Sequence, residues 1–359
     1  MSNTSIEISV RGEWVRVQSL NVDGLTLVVT GKWIRVASVH DEFWLPTEVE
    51  DPELCIRKLK EQASSGFRAD VFTFAQKLPE TLPKYDYLLE WDSIAAIHLE
   101  TFKGWWDRLP QETRKNVRRA EKRGVEVRVQ EFGDDLIRGI GEVNNDSPLR
   151  QRRRNAHYGK TFEQLRRDYS SFIDRSDFIC AYLGDEMIGF LKLVHGRDVS
   201  SILNLTPKAS HSDKRPANVL IAKAVELCQA RGNSYLTYGM YNYGHKHDSP
   251  LREFKIRNGF EEQRVPRFYA PLNAWGTICI KLGLYRGFLG IVPSGMITLG
   301  LGARAKWCDL KVKWYDGKKS QSRCSSTPER PNCNRQMERS IPPAGSKNHA
   351  TALVSDQQK

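Results

Sequence analysis

The chain has 359 residues and a formal net charge of +12, long enough for one large domain or two of ordinary size and basic enough to suit anionic partners. Its seven cysteines are odd in number and scattered, with no Cys-x-x-Cys pair and no Cys/His group at zinc spacing, which argues against a disulfide framework or a metal site and for a reducing compartment. The start, Met1 to Glu7, lacks a basic stretch followed by an apolar one, so no secretory signal is expected and the cytoplasm is the expected location.

Residues 5 to about 45 alternate in polarity and carry turn signals at Gly12, Asp23-Gly24 and Gly31, the pattern of several antiparallel strands. Pro52 to Gly66 reads as a helix burying Leu54, Ile56, Leu59 and Ala63, and Val71 to Phe74 as a strand. Tyr85 to His98 is apolar and mixed, and its type stays open. The spacing predicts a helix from about Pro110 to Arg123, with Leu109, Val117 and Ala120 as a narrow apolar stripe beneath Arg114, Lys115, Arg118, Arg119, Lys122 and Arg123. Such a charge run is by default a solvated face; the sharper reading is a surface for phosphates. A second basic cluster is Arg150 to Arg154.

From Asp177 to Leu272 the order is strand, strand, strand, polar loop, helix, strand, helix, strand. Phe178–Leu183 and Met187–Val194 flank the turn pair Gly184-Asp185, and Val199–Leu205 follows Gly196 to Asp198, two hairpin joints in succession. After the loop from Thr206 to Pro216, a helix to Arg231 buries Ala217, Leu220, Ile221, Ala224, Leu227 and Cys228, and Gly232 stops it. The strand Ser234–Gly239 follows through that helix, so it is expected to lie parallel to the strand before it with a right-handed crossover. Ser249-Pro250 opens a short helix as N-cap and first residue, and Phe260 to Leu272 is extended. A helix start carries unpaired N–H groups and partial positive charge, so the loop with Lys214 and Arg215 is a candidate anion site.

This order resembles the GNAT acetyltransferase superfamily, and more narrowly the branch holding Fem-type peptidyltransferases and acetyltransferases encoded with bacterial surface-polysaccharide genes. Four pieces carry the resemblance: LPQETRKNVRRAEKRG from Leu109 to Gly124 leading into Val125–Val129; KRPANVL from Lys214 to Leu220; YLTYG from Tyr235 to Gly239; and SPLREFKIRNGF from Ser249 to Phe260 followed by VPRFY from Val265 to Tyr269. The resemblance implies a mixed, mostly antiparallel sheet flanked by helices, an α/β (α+β) fold with two related halves as a further option. It implies residues 1–100 as an N-terminal half, a diverged first GNAT-like one; 101–124 as a basic connecting helix; and 125–273 as the acyltransferase domain. Beyond these, 274–316 is apolar and glycine-rich, and 317–359 reads as a disordered tail rich in Ser, Pro, Asn, Lys and Arg. Residues 287–303 carry no charge; the readings rank as a packed appendage, a peripheral membrane contact through 275–305, and last a true span.

What the resemblance implies chemically is acyl transfer from acetyl-CoA, or another acyl-CoA, lying in a V-shaped opening between the strand ending near Leu205 and the one at Tyr235–Gly239. Leu205, Lys214, Arg215, Asn218 and Val219 would bind the cofactor, with its diphosphate at the helix start. The family's usual Gln/Arg-x-x-Gly-x-Gly/Ala signature is here RPANVL, without glycine, which leaves an aminoacyl-tRNA as the alternative donor. Transfer to an amine needs a proton acceptor, a stabilised oxyanion and a proton for the leaving group; His211, Asp213 and Tyr241 are the catalytic candidates, with an exposed loop histidine the equally weighted reading of His211. Tyr243, Lys255 and Arg267 are candidates for binding the acceptor, an amino sugar or other small amine in surface-polysaccharide or cell-wall biosynthesis, or for ion pairs. A non-catalytic binding module on the same fold is the remaining class.

Overall fold

The computed structural model describes residues 4–10, 13–150, 153–242 and 249–286. The chain opens with β1 (Thr4–Val10), β2 (Glu13–Val22), β3 (Leu25–Thr30) and β4 (Val36–Val39), then α1 (Pro52–Gln62), β5 (Val71–Ala75) and β6 (Leu88–His98). It continues through α2 (Phe102–Arg108), α3 (Gln111–Lys122), β7 (Val125–Gln130), α4 (Asp134–Asn145), the short β8 (Leu149–Arg150) and β9 (Arg153–Arg154), and α5 (Phe162–Tyr169). Then come β10 (Ser176–Leu183), β11 (Glu186–His195), β12 (Val199–Pro207), α6 (Pro216–Ala230), β13 (Tyr235–Met240), α7 (Pro250–Arg257), β14 (Glu261–Pro271) and α8 (Ala274–Lys281). The order expected from Asp177 onward is the order observed.

Twelve strands form one mixed, mostly antiparallel sheet in the order β1-β2-β3-β4-β5-β14-β6-β13-β12-β11-β10-β7. Read inward from its two edges, this order is the same on both sides. Each side has four antiparallel strands, a fifth strand parallel to the fourth across a helix (α1 or α6), and a sixth that lies against the other side's fifth. Thus β6 pairs with β13, and β14 with β5, while β6 and β14 pair with each other at the centre.

The side-chain period of two assigns the faces. On β10, Ile179 and Ala181 join the core beneath α3 and α6, whereas Phe178, Cys180 and Tyr182 join Leu136, Ile137 and Ile140 of α4 and Leu165 of α5. Beneath α6, Leu220, Ile221, Val225 and Cys228 are fully buried, each aliphatic contributing roughly 1.5–3 kcal/mol. A separate core under α1 gathers Leu20, Leu27, Leu59, Phe72, Phe74 and Phe268.

Three expectations need adjustment. The stretch 101–124 is two helices rather than one: α2 ends at Arg108, and Pro110, with no N–H to donate, stands as the N-cap of α3. Tyr85 to His98 contains the long central strand β6, whose burial runs from exposed at Leu88 to buried at Ile94–Ile97, so no single alternation marked it. Helices α4 and α5 were not foreseen. Of 274–316, only α8 and the turn Leu284–Arg286 fall among the described residues; the tail lies outside them.

Candidate functional site

Strands β12 and β13 run side by side for three rungs only, Val199 with Tyr235, Ser200 with Leu236 and Ser201 with Thr237. The last rung is tied by a 2.7 Å bond between the Ser201 and Thr237 hydroxyls. Beyond it β12 stays on β11, through Asn204, Leu205, Thr206 and Pro207. Meanwhile β13 stays on β6 through Met240 opposite Ile94, with a register shift across Tyr238 and Gly239. Gly239 has φ +56°, a conformation glycine adopts without the Cβ penalty. The two strands therefore diverge, leaving a wedge between Ile202–Pro207 and Tyr238–Met240.

A buried clamp holds the closed end. His195 Nε2 lies 2.9 Å from Asp177 Oδ2 and Nδ1 lies 2.8 Å from Ser200 Oγ, which donates to Asn233 Oδ1 at 2.7 Å. The imidazole thus bridges the Asp177 carboxylate on β10 and the Ser200 hydroxyl on β12. That hydrogen bond from His195, then Arg231, holds the Asp177 carboxyl below its usual range against the opposing effect of burial. The clamp links β10, β11, β12 and the turn before β13; no local pattern signals it, because Asp177 and Asn233 lie 18 and 33 residues from their partners.

The loop between β12 and α6 leans over β11. Lys208 N–H bonds the Ile188 carbonyl, and its Nζ bonds Glu186 at 2.7 Å. His211 Nε2 lies 3.5 Å from the same Glu186 and its Nδ1 3.0 Å from Ser210 Oγ. Asp213 pairs with Lys214 at 3.3 Å and Arg123 at 3.8 Å. Arg215 takes the left-handed conformation at φ +58° and caps α6 without a side-chain bond. Asp146, at the end of α4, accepts from the N–H groups of Ala209 (2.6 Å) and Ser210 (3.2 Å) and from the Ser210 hydroxyl (2.5 Å). Burial raises the pKa of Asp146, but these bonds and Lys208 outweigh it and leave the carboxyl below its usual range. The Ala209 and Ser210 N–H groups lie ahead of the stretch from Lys214 to Val219 expected to meet a diphosphate.

Across the wedge mouth, α7 carries Lys255, which is 0% exposed. Its Nζ donates to the Met240 carbonyl at 2.7 Å and sits 4.7 Å from the Tyr238 ring centre. Burial brings its pKa down to about 7, so the amine exchanges a proton near neutrality. Asn258, at the end of α7, accepts from Asn218 Nδ2 at 2.9 Å, and its carbonyl accepts from Trp105 Nε1 at 3.2 Å, joining the first turn of α6 to α7 and α2. Leu205 and Val219 are core residues at the wedge wall. Tyr241 is buried, its N–H on the Ser93 carbonyl and its ring 5.0 Å from the Arg252 guanidinium. Tyr243 lies outside the described residues. Among the described residues, no hydrogen bond or ion pair joins His211 or Asp213 to Tyr241 or Lys255.

Arg267 lies elsewhere. It bonds Asp92 at 2.7 Å and Glu42 at 2.8 Å, both largely buried, and the attraction of those carboxylates outweighs burial to raise its pKa. Glu42 also accepts from the Ala75 N–H at 2.7 Å. Strands β4 and β5 likewise pair for three rungs, ending at Ser38 with Thr73; there the Glu42–Arg267 pair and Lys77, bonded to the Glu42 and Leu45 carbonyls, bridge the divergence. The first opening is filled by ion pairs, and of its members only Arg267 was singled out from sequence. Beside α6, a groove of about 380 Å³ is lined by Phe102, Trp106, Val117, Arg118, Val219 and Lys223, among others.

Residues 109–247 match the family described as an acetyltransferase (GNAT) domain. This stretch is a GNAT-type domain, and the family it matches is one of acyltransferases. No curated protein matches the chain. Among solved structures the chain is similar to FemX, at 12% identity and TM-score 0.49, covering 74% of this chain and 87% of that one. It is similar to L-PGS from Bacillus licheniformis at 12% and 0.48, covering 75% and 87%. It is also similar to a tandem GNAT protein from the clavulanic acid biosynthesis pathway at 11% and 0.40, covering 72% and 82%. The wedge, its clamp and Lys255 all fall on the GNAT-type domain or the strands and helix directly after it.

Proposed function

We propose that the protein is an N-acyltransferase that receives the reactive carbonyl of its donor in the wedge between β12 and β13. The observation carrying this reading is the pairing that stops after Ser201 and Thr237 inside a segment matching an acyltransferase family. Divergent strands turn backbone polar groups toward a shared gap, where they can polarise an incoming carbonyl oxygen. In this reading Lys255 positions the edge of β13 through the Met240 carbonyl and exchanges a proton near neutral pH. Tyr241 and Tyr243 stand as secondary acid candidates, while His211 and Asp213 hold the loop. The acceptor is a small amine such as an amino sugar. Residues 1–100, with α1 between β4 and β5, stand as a diverged half whose own opening is closed by Glu42 and Arg267.

Acetyl-CoA has the family match in its favour. The basic face of α3 favours a second reading, an aminoacyl-tRNA donor. The exposed α3 carries Lys115 and Lys122, which make no ion pair among the described residues, and Arg118, stacked near Trp106.

Thermal-shift titrations with acetyl-CoA, CoA and aminoacyl-tRNA separate the donors. Stabilisation by acetyl-CoA that is lost in a folded Lys214→Glu/Arg215→Glu variant supports a thioester donor at the start of α6. Binding of aminoacyl-tRNA that falls steeply with salt and with Lys115→Glu/Lys122→Glu supports the second reading. A folded protein that binds none of these and transfers no acyl group is a binding module, and the proposal fails.

A further inference from the structure

Helix α8 lies outside the wedge and takes no part in the proposed chemistry. One side docks on the start of β5: Cys279 is fully buried, and Gly276 approaches so closely that a Cβ would stand 1.8 Å from the Asp70 carbonyl oxygen. Asn273 caps the helix through the Gly276 N–H and bonds Asp70, so its orientation is fixed. The opposite side presents Trp275, Ile278 and Leu282, 46%, 46% and 62% exposed. These positions are three and four residues apart and share one face. The Trp275 indole N–H reaches the Trp33 carbonyl at 3.4 Å, and Trp33 itself is 91% exposed. Trp275, Ile278 and Leu282 thus form one solvent-facing apolar patch, with the exposed Trp33 on the neighbouring chain segment, where single exposed residues would need no explanation.

Within the two segments that carry these side chains, charge is of one sign, and the carboxylates beside α8, Asp70 and Glu90, are held by Asn273 and by the Tyr285 hydroxyl. From Gln263 to Cys308 the chain has no Asp or Glu, and none between Asp23 and Asp41. Lys281 and Lys32 are exposed within these two segments. Past Arg286 the chain enters residues 287–303, which carry no charge. We infer that the Trp33/α8 face docks on an anionic lipid bilayer. Amphipathic indole rings favour the headgroup level, aliphatic residues between them reach the acyl boundary, and flanking lysines meet anionic headgroups. A protein partner or second copy of the chain would accept the apolar patch but would not require the exposed lysines that flank it.

The test uses the full chain and co-sedimentation with vesicles of phosphatidylglycerol and phosphatidylcholine, against phosphatidylcholine alone. The expected result is pelleting with the anionic vesicles that weakens with salt. It should fall at least fivefold in Trp33→Ser/Ile278→Asn/Leu282→Asn and in Lys32→Glu/Lys281→Glu, both with unchanged melting temperature because every altered side chain is exposed. A wild-type protein that stays in the supernatant overturns the inference. So does a folded patch variant that pellets as well as wild type, which would move membrane binding to another segment. A solution mass of two chains that returns to one in the patch variant, without vesicle binding, assigns the face to self-association and also overturns it.

Discussion

Lys255 shows how burial sets chemistry at a single side chain. Its folded pKa of about 7 lies below the ordinary lysine value of 10.5, so between the two the unfolded chain holds the extra proton and stability climbs with pH. Lys192, at about 7 with its Nζ on the Tyr169 carbonyl, and Lys77, at about 8, act in the same direction. Lys255→Met removes a buried amine whose charged form burial disfavours. It should raise stability at pH 7 by about 1–3 kcal/mol, flatten the rise toward pH 10, and lower acyl transfer on the order of 100-fold. Urea melts at pH 6 to 10 with single-turnover assays check this; a variant less stable than wild type at pH 7 would show that the buried amine is not a strain. Arg267 predicts the reverse. Its loss leaves Glu42 and Asp92 buried without a counter-charge, so Arg267→Met should cost roughly 3–5 kcal/mol while turnover per folded molecule holds. A turnover loss exceeding the folding loss would return Arg267 to the acceptor site.

At the scale of elements, the wedge depends on what closes it. Asp177, depressed chiefly by its bond from His195, contributes stability that is fully present above the ordinary carboxyl value of about 4 and is lost as pH falls through its lower folded value. Asp177→Asn should therefore cost about 1–2 kcal/mol at pH 7, and the difference from wild type should shrink below pH 4. A gap that stays constant down to pH 2 would mean the carboxylate charge is not what matters. The elements themselves were largely legible, for local reasons. Gly184-Asp185 supplies a turn between two runs, Ser249-Pro250 supplies an N-cap and a first residue, and α6 carries a stripe of apolar residues closed by Gly232. What stayed illegible depends on long-range pairing. Nothing near Lys208 announces that Asp146 will cap its loop, and nothing near Val71 announces that β14 rather than β6 will be its neighbour. Arg267 was read as an acceptor contact or an ion-pair residue, and its partners lie 225 and 175 residues away.

At the scale of the molecule, the exchange of sixth strands sets how the sheet can unfold. β6 is made by the first hundred residues but pairs with β13 and β14; β14 comes last but pairs with β5 and β6. Residues 4–98 alone would leave β5 without its β14 neighbour and β6 without either partner. Residues 101–286 alone would leave β13 with a bare edge on the β6 side and β14 with no strand on either side. Each fragment would expose strand edges and lose core contacts such as Phe268 against Phe72 and Phe74. Neither half should therefore fold alone, and the intact chain should melt in one transition reported identically by far-ultraviolet and aromatic circular dichroism. Expressing the two fragments separately and together tests this directly. Each should lack a cooperative melt alone, and the mixture should regain one as the strands exchange across the centre. A first fragment that folds cooperatively by itself would show that the core under α1 is self-sufficient and that the shared centre is added to two finished units rather than required by both.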